Sequence, residues 1–231
     1  MRKLLIAVLC VTFAMIACSS VFAAGPTFDA DEEDHGPGSG SAAPTPQQWP
    51  TDPDLPNRFK ISSVVSAVLP SDDNIDVGVS TQVMAQYDLV KCLALGLEVG
   101  YTYFDVHGLG VDWGKVHCIP VMGDAILKYP FEYKEYEIVP NLILGFGGLF
   151  THIEDGSIVT TTNSTFSADG GFLFKLGGGV DVYVTDNLAV VFETSYQWSM
   201  ADWQAYYSAN RRTIDFDPSS LYIGGGLRLR F

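Results

Sequence analysis

The sequence predicts an all-β protein: an eight-stranded antiparallel up-and-down transmembrane β-barrel with a disordered N-terminal tail. Three observations predict it. Apolar residues alternate with small or polar ones at a period of two from residue 59 to residue 231, the mark of strands with two unlike faces. Short and long connectors take turns along the chain, as in a sheet whose hairpins emerge on opposite sides of a membrane. Aromatic residues gather near strand ends, where amphipathic rings meet lipid head groups.

Composition sets the outer limits. With 231 residues the chain is one domain with room for a tail. A hydrophobic share of 47% excludes a wholly disordered chain. Charged residues make up 17%, below the roughly 25% of an ordinary soluble domain. Thirteen basic against 27 acidic side chains give a formal charge of -14, which argues against a nucleic-acid partner because phosphate binding needs clustered Lys and Arg.

Residues 1–24 have the pattern of a secretory signal peptide: Arg2 and Lys3, an apolar run from Leu4 to Ala17, then a small-x-small site at Val21 and Ala23. The apolar run is shorter than the roughly 20 residues a helix needs to cross a bilayer. A rival reading takes Met15 to Cys18 as a lipobox with Cys18 lipidated, although Met is a poor first residue for one. Cleavage after Ala23 or Ala24 leaves two cysteines, Cys92 and Cys118. Residues 25–57 are rich in Pro, Gly, Ser and acid and nearly devoid of aliphatic side chains, so they are expected to form a disordered acidic tail.

The barrel is expected over residues 58–231. Its strands are read as Phe59 to Leu69, Gly78 to Leu89, Cys92 to Phe104, Val116 to Tyr129, Glu137 to Phe150, Gly171 to Val184, Asn187 to Met200 and Leu221 to Phe231. Connectors 89–92, 130–136 and 184–187 are short, whereas 70–77, 105–115, 151–170 and 201–220 are mostly longer and polar. Both ends of the barrel then fall on the short-turn side.

Alternation alone does not separate a lipid-facing barrel from a soluble one turned inside out. The third strand carries Leu93, Leu95, Leu97, Val99, Tyr101 and Tyr103 on one face, and Ala94, Gly96, Glu98, Gly100 and Thr102 on the other. The small, sparsely charged face suits a narrow interior better than a soluble surface. Tyr87, Tyr129, Phe131, Tyr133, Tyr136 and Phe231 would form one girdle, and Tyr101, Tyr103, Phe150, Phe172, Tyr196 and Trp198 the other. The aliphatic face is therefore placed outside.

Three stretches carry a family resemblance. LYIGGGLRLRF at 221–231 looks like the recognition signal of bacterial outer-membrane barrels, with Tyr222, Leu227, Leu229 and Phe231 as its assembly-signal residues. VHCIPVMGDAILKYPF at 116–131 and FKLGGGVDVYVTDNLAVVFETSY at 174–196 resemble strands of the OmpW-like and the OmpX- and opacity-like small barrels of the porin family. The resemblance implies a Gram-negative outer membrane as location and specifies architecture more than activity. Known members include structural proteins, adhesins, evasion factors and narrow channels, so the fold does not choose among them.

The candidate site is the lumen. Its inward face collects Lys60, Glu98, Asp124, Lys128, Lys175, Asp181, Glu193, Arg228 and Arg230, and in a barrel of eight strands such side chains fill the interior. A plug that pairs its own charges is favoured over a gated polar pore. No catalytic residues are assigned: His107, His117 and His152 lie toward the long loops, but no His-x-Ser pair occurs, and His152 is followed by Ile153 and Glu154. No metal site is assigned either, since no two histidines have ligand spacing. The expected protein is a monomer without cofactor, contacting outer-membrane lipid, lipopolysaccharide and the barrel-assembly machinery. It is read as non-enzymatic, with a structural or surface-interaction role; the alternative is a narrow channel for small or apolar solutes.

Overall fold

The alternation of the sequence becomes an inside and an outside. Along the first strand Lys60, Ser62, Val64, Ser66 and Val68 are buried while Ile61, Val65 and Leu69 are exposed. The computed structural model describes residues 59–108, 111–133, 136–155, 164–208 and 211–231; the expected signal peptide and acidic tail lie outside the described residues. The strands are β1 (Phe59–Pro70), β2 (Gly78–Val90), β3 (Leu93–Gly108), β4 (Val111–Lys128), β5 (Phe131–Tyr133), β6 (Tyr136–Asp155), β7 (Thr165–Ala168), β8 (Gly171–Tyr183), β9 (Leu188–Ser199), β10 (Trp203–Tyr207), β11 (Arg212–Phe216) and β12 (Ser220–Arg230).

Eight of them, β1, β2, β3, β4, β6, β8, β9 and β12, form a closed antiparallel barrel in which each strand pairs with its neighbour and β12 returns to β1. Closure fixes a stagger. Hydrogen-bonded partners followed from Lys60 through Gln86, Gly96, Asp124, Gly145, Lys175, Gln197 and Ser220 return to β1 at Pro70, ten residues from the start. That shear tilts the strands and sets a lumen just wide enough for side chains to fill.

All eight expected strands are present, but three are longer than expected. Within the span 105–115, read as a loop, residues 105–108 and 111–115 continue the β3–β4 ladder through Asp105–Lys115 and Val106–Gly114, with a bulge between Val106 and His107. Gly114 adopts φ 121° there, a conformation open to glycine at little cost. On the other side of β4, His152 pairs with His117 and Glu154 with Lys115, carrying β6 to Asp155. The outward residues of this extension are polar, which mimics a loop in the sequence. Its inward residues Phe104, Val106, Trp113 and Val116 stay apolar and buried.

A second sheet of three short strands, in the order β11-β10-β7, was not foreseen. It is built by the two longest connectors and lies over the long-loop end, where Trp203 pairs with both Ala168 and Phe216. Its strands are only four or five residues long, too short for periodicity to announce them. The small β5 extends the β4–β6 turn through Phe131–Ile138 and Tyr133–Tyr136 pairs.

The outer wall is apolar on every barrel strand: Val65, Val83, Leu97, Ile119, Phe146, Phe174, Phe192 and Leu227 are all exposed. Both aromatic girdles are present, with one correction. Tyr196 is buried beneath Trp198, the ring centroids 4.6 Å apart, and its hydroxyl meets Ser71 Oγ at 2.6 Å. A polar tether thus uses a ring the sequence assigned to the interface.

Two measurements follow. Leu97 is 58% exposed, inside the apolar band; Leu97→Arg is expected to cost about 2–4 kcal/mol near the midplane. It should lower the yield of the compact, heat-modifiable form on unheated gels. Cys92 is exposed in the β2–β3 turn and Cys118 is buried, neither in a disulfide. Cys118 pairs with Thr102, ten residues along β3 from Cys92, so about 30 Å separates the thiols. Alkylation of the folded protein without reductant should label Cys92 alone, and unfolding should expose Cys118.

Candidate functional site

The lumen is layered, and each layer follows from which inward positions the register brings together. At the short-turn end, Lys60 Nζ lies 3.0 Å and Lys128 Nζ 2.6 Å from the two carboxylate oxygens of Asp88, while Gln86 Nε2 donates to the same side chain at 2.9 Å. Beside them Arg228 pairs with Asp181, which also accepts from Asn141 Nδ2. Arg230 sits lower, at the rim. It is paired with Glu137 at 2.6 Å, donates to the Asp186 carbonyl, and lies 4.1 Å from the centre of the Tyr183 ring. A polar groove of about 480 Å³ opens there, lined by Glu132, Tyr136, Glu137, Tyr183, Val184, Thr185, Asp186 and Arg230.

An apolar belt of Ala94, Ile126, Ile143 and Met84 separates this layer from the next. Above it Lys175 is wholly buried, its Nζ 2.8 Å from Glu98 Oε2 and 3.0 Å from Asp124 Oδ2. Glu193, on the strand next to Lys175, lies within electrostatic reach of it. Lys175 therefore serves three acids.

One glycine makes this bridge possible. Asp124 on β4 and Lys175 on β8 are both partners of Gly145, on the strand between them. A Cβ at Gly145 would collide with Asp124 Oδ1 and stand 3.2 Å from Lys175 Cε. Without a side chain there, the two charges meet across an intervening strand.

The long-loop end holds a different solvent. Phe104, Val106, Trp113, Val116, Met122 and Tyr222 from the barrel wall join Phe166, Trp203 and Phe216 of the upper sheet in one buried apolar cluster. Phe104 meets Trp203 edge-on at 6.0 Å, and Phe166 meets Phe216 in the same way at 5.9 Å. Trp113 and Trp203 have no exposed surface. Each such ring contributes roughly 1.5–3 kcal/mol by burial, with about 0.5–1.5 kcal/mol more for a well-placed pair.

The nine residues expected to form one charge network thus stand in two groups with Arg230 at the rim, and the sequence inventory missed two partners. Asp88 lies on the inward face with Gln82, Met84 and Gln86, a signal that was available. Glu137 meets Arg230 only across the barrel mouth. Of the four assembly-signal residues, Leu227, Leu229 and Phe231 share the outer face, Phe231 lying 6.3 Å from Phe59 at the closing seam. Tyr222 does not share that face; it is buried in the apolar cluster.

The three histidines among the described residues, His107, His117 and His152, are on the outer wall. His107 pairs with Asp76 at 3.1 Å. His117 Nδ1 meets the Tyr101 hydroxyl at 2.6 Å, its Nε2 lies 3.4 Å from Glu154 Oε1, and its ring centre is 6.3 Å from that of His152. Among the described residues no group of three or more His, Cys, Asp or Glu side chains is arranged to hold a metal ion.

A closed sheet with an apolar exterior all round and ion pairs within is the architecture of a membrane-spanning β-barrel, since lipid tolerates a sheet only when no edge is left unpaired. The comparisons find the same fold in a solved outer-membrane protein. The structure is similar to that of the outer membrane protein OprG from Pseudomonas aeruginosa, with a TM-score of 0.62 over 76% of this chain and 96% of that one at 13% identity. It is also similar to outer membrane protein W from E. coli, with a TM-score of 0.47 over 76% and 98% of the two chains at 12% identity. At such identities the shared property is the fold. No protein-family model matches the sequence, and no curated protein matches it.

The Lys175 layer makes a quantitative prediction. Lys175→Met leaves Glu98 and Asp124 buried without their cation, and removing one partner of a buried pair costs about 3–5 kcal/mol. The urea midpoint of the barrel in micelles should fall accordingly. Adding Glu98→Gln, Asp124→Asn and Glu193→Gln to that variant should restore most of the loss, because the desolvated charges that Lys175 faced are then gone.

Proposed function

We propose that this protein is an outer-membrane barrel whose lumen is a sealed plug, and that it acts without catalysis as a structural or surface-interaction protein. The observation that carries the reading is the succession of buried side-chain clusters along the lumen. The Asp88 cluster, the Ala94–Ile126–Ile143 belt, the Lys175 cluster and the apolar cluster under the β7–β10–β11 sheet follow one another along the axis. Short turns conventionally face the periplasm, which puts that sheet on the cell surface. In this reading the chain is exported by its N-terminal signal, is assembled as a monomer by machinery that recognises the β12 strand, and lives among lipid and lipopolysaccharide.

A second reading, a narrow passage for apolar solutes, is favoured by one feature. The upper lumen is lined by Phe104, Val106, Trp113 and Val116 rather than by further ion pairs, so an apolar guest entering there would meet compatible walls. It would still have to pass Lys175.

Reconstitution separates the two. In planar bilayers the wild-type protein is expected to show no discrete conductance, and discrete steps would replace the plug by a pore. A small brominated alkane added to the folded protein should not quench tryptophan fluorescence in a saturable way. Saturable quenching that is lost in Trp203→Phe would favour the apolar passage.

A further inference from the structure

The outer wall is not uniform: one sector among the described residues has a polar head above an apolar notch. Five pairs descend the lipid-facing side of β4 and β6 from the long-loop end: Lys115–Glu154, His117–His152, Ile119–Phe150, Val121–Gly148 and Gly123–Phe146. On β8 the flanking partners are Phe172 beside Gly148 and Phe174 beside Phe146. On β3 Tyr103 flanks His117.

The notch comes from two glycines on adjacent strands. A Cβ built on Gly123 or on Gly148 would meet nothing within 4 Å, so both positions open directly toward lipid. The ridges around them are tall: Phe146 and Phe172 are each 74% exposed and Phe150 is 63% exposed. On β1 and β2 the lipid-facing positions are instead filled by Val65, Val79 and Val83. Glycine weakens a strand interior and often marks a place where another group approaches the backbone closely. Strands stand about 4.8 Å apart, which matches the width of one extended hydrocarbon chain.

The head is a set of mixed donors and acceptors. Tyr101, His117, His152 and Glu154 are linked as described above, and Lys115 lies 4.0 Å from Asp105. Lys115 and His117 each have a carboxylate beside them, so the patch offers donors and acceptors together, to the hydroxyls and to the phosphate of an acylated sugar alike. From His117 to Gly123 the strand runs about 20 Å, which at the usual barrel tilt is about 15 Å of depth. That is one leaflet of the roughly 30 Å hydrocarbon core.

We propose that this sector docks one acyl chain of an outer-leaflet glycolipid, the chain lying in the Gly123–Gly148 notch and the sugar hydroxyls meeting Tyr101, His117, His152 and Glu154. The proposal rests on the membrane reading and adds a site to it. Phenylalanine ridges hold the chain by contact with its methylenes, and the histidine pair sets its depth. Lipid bound this way stays with the barrel when the surrounding bilayer is removed.

The test uses the mature barrel, refolded free of lipid in mild detergent and then given purified lipid A or, in a parallel arm, phosphatidylglycerol. Native mass spectrometry reads the fraction that retains one lipid. The wild type should retain lipid A and at least fivefold less phosphatidylglycerol. Gly148→Leu, which fills the notch, and His152→Ala, an exposed position whose loss leaves the barrel intact, should each lower lipid A retention at least fivefold. Val83→Leu on β2, away from the notch, should leave it unchanged. Equal retention by wild type, Gly148→Leu and His152→Ala, or equal retention of both lipids by the wild type, would overturn the site. If those results come with a normal heat-dependent gel shift, the membrane reading survives; absence of the gel shift in the wild type would sink that reading itself.

Discussion

Closure of the sheet is the constraint on which everything else depends. In hydrocarbon each unpaired backbone N–H or C=O costs several kcal/mol, so the first strand must find the last. β1 and β12 meet from Lys60–Arg230 to Pro70–Ser220. The ten-residue stagger of the circuit then fixes the lumen width and decides which inward side chains become neighbours. Small residues inside and aliphatic ones outside are consequences of that single geometric requirement.

Within the lumen, charge and apolar bulk take separate levels, and this division has an energetic logic. A lysine such as Lys175 gains enough from two carboxylates at hydrogen-bond distance to offset its desolvation only if the approach is unobstructed. Gly145 keeps it so. The apolar belt below and the aromatic cluster above exclude water from the ion pairs, which strengthens them and raises the cost of removing one partner. The upper sheet extends this principle beyond the membrane. By placing Trp203, Phe166 and Phe216 over the barrel mouth, it lets two long connectors bury apolar area that would otherwise face water.

The outer wall shows the same economy with lipid as the solvent. Most lipid-facing positions are branched aliphatics that pack against acyl chains without preference. The β4–β6 sector breaks the pattern with open glycines, tall phenylalanines and a histidine pair held by Tyr101 and Glu154. A polar patch at the upper end of an apolar wall sits where the membrane interface falls, and its partners are set by strand pairing rather than by sequence proximity.

The sequence by itself determined the strand set and its faces. A period of two admits only two faces, and the aliphatic run Leu93, Leu95, Leu97, Val99 against Gly96, Glu98 and Gly100 has one arrangement compatible with lipid. It also marked Lys175, Glu98, Asp124 and Arg228 as inward residues. Only the tertiary structure decided who meets whom. The Lys175 bridge joins residues on β3, β4 and β8, and the Asp88 cluster joins β1, β2 and β4, pairings that depend on the shear of the closed sheet and leave no local trace. Above the membrane, polarity stopped reporting secondary structure. Asp105, His107, Lys115 and Glu154 look like loop residues because water replaces lipid on the outward face, while the inward face continues unchanged. The short β7, β10 and β11 strands escaped for a related reason: four or five residues carry too little periodicity, and their pairing comes from connectors that meet only once the barrel has closed.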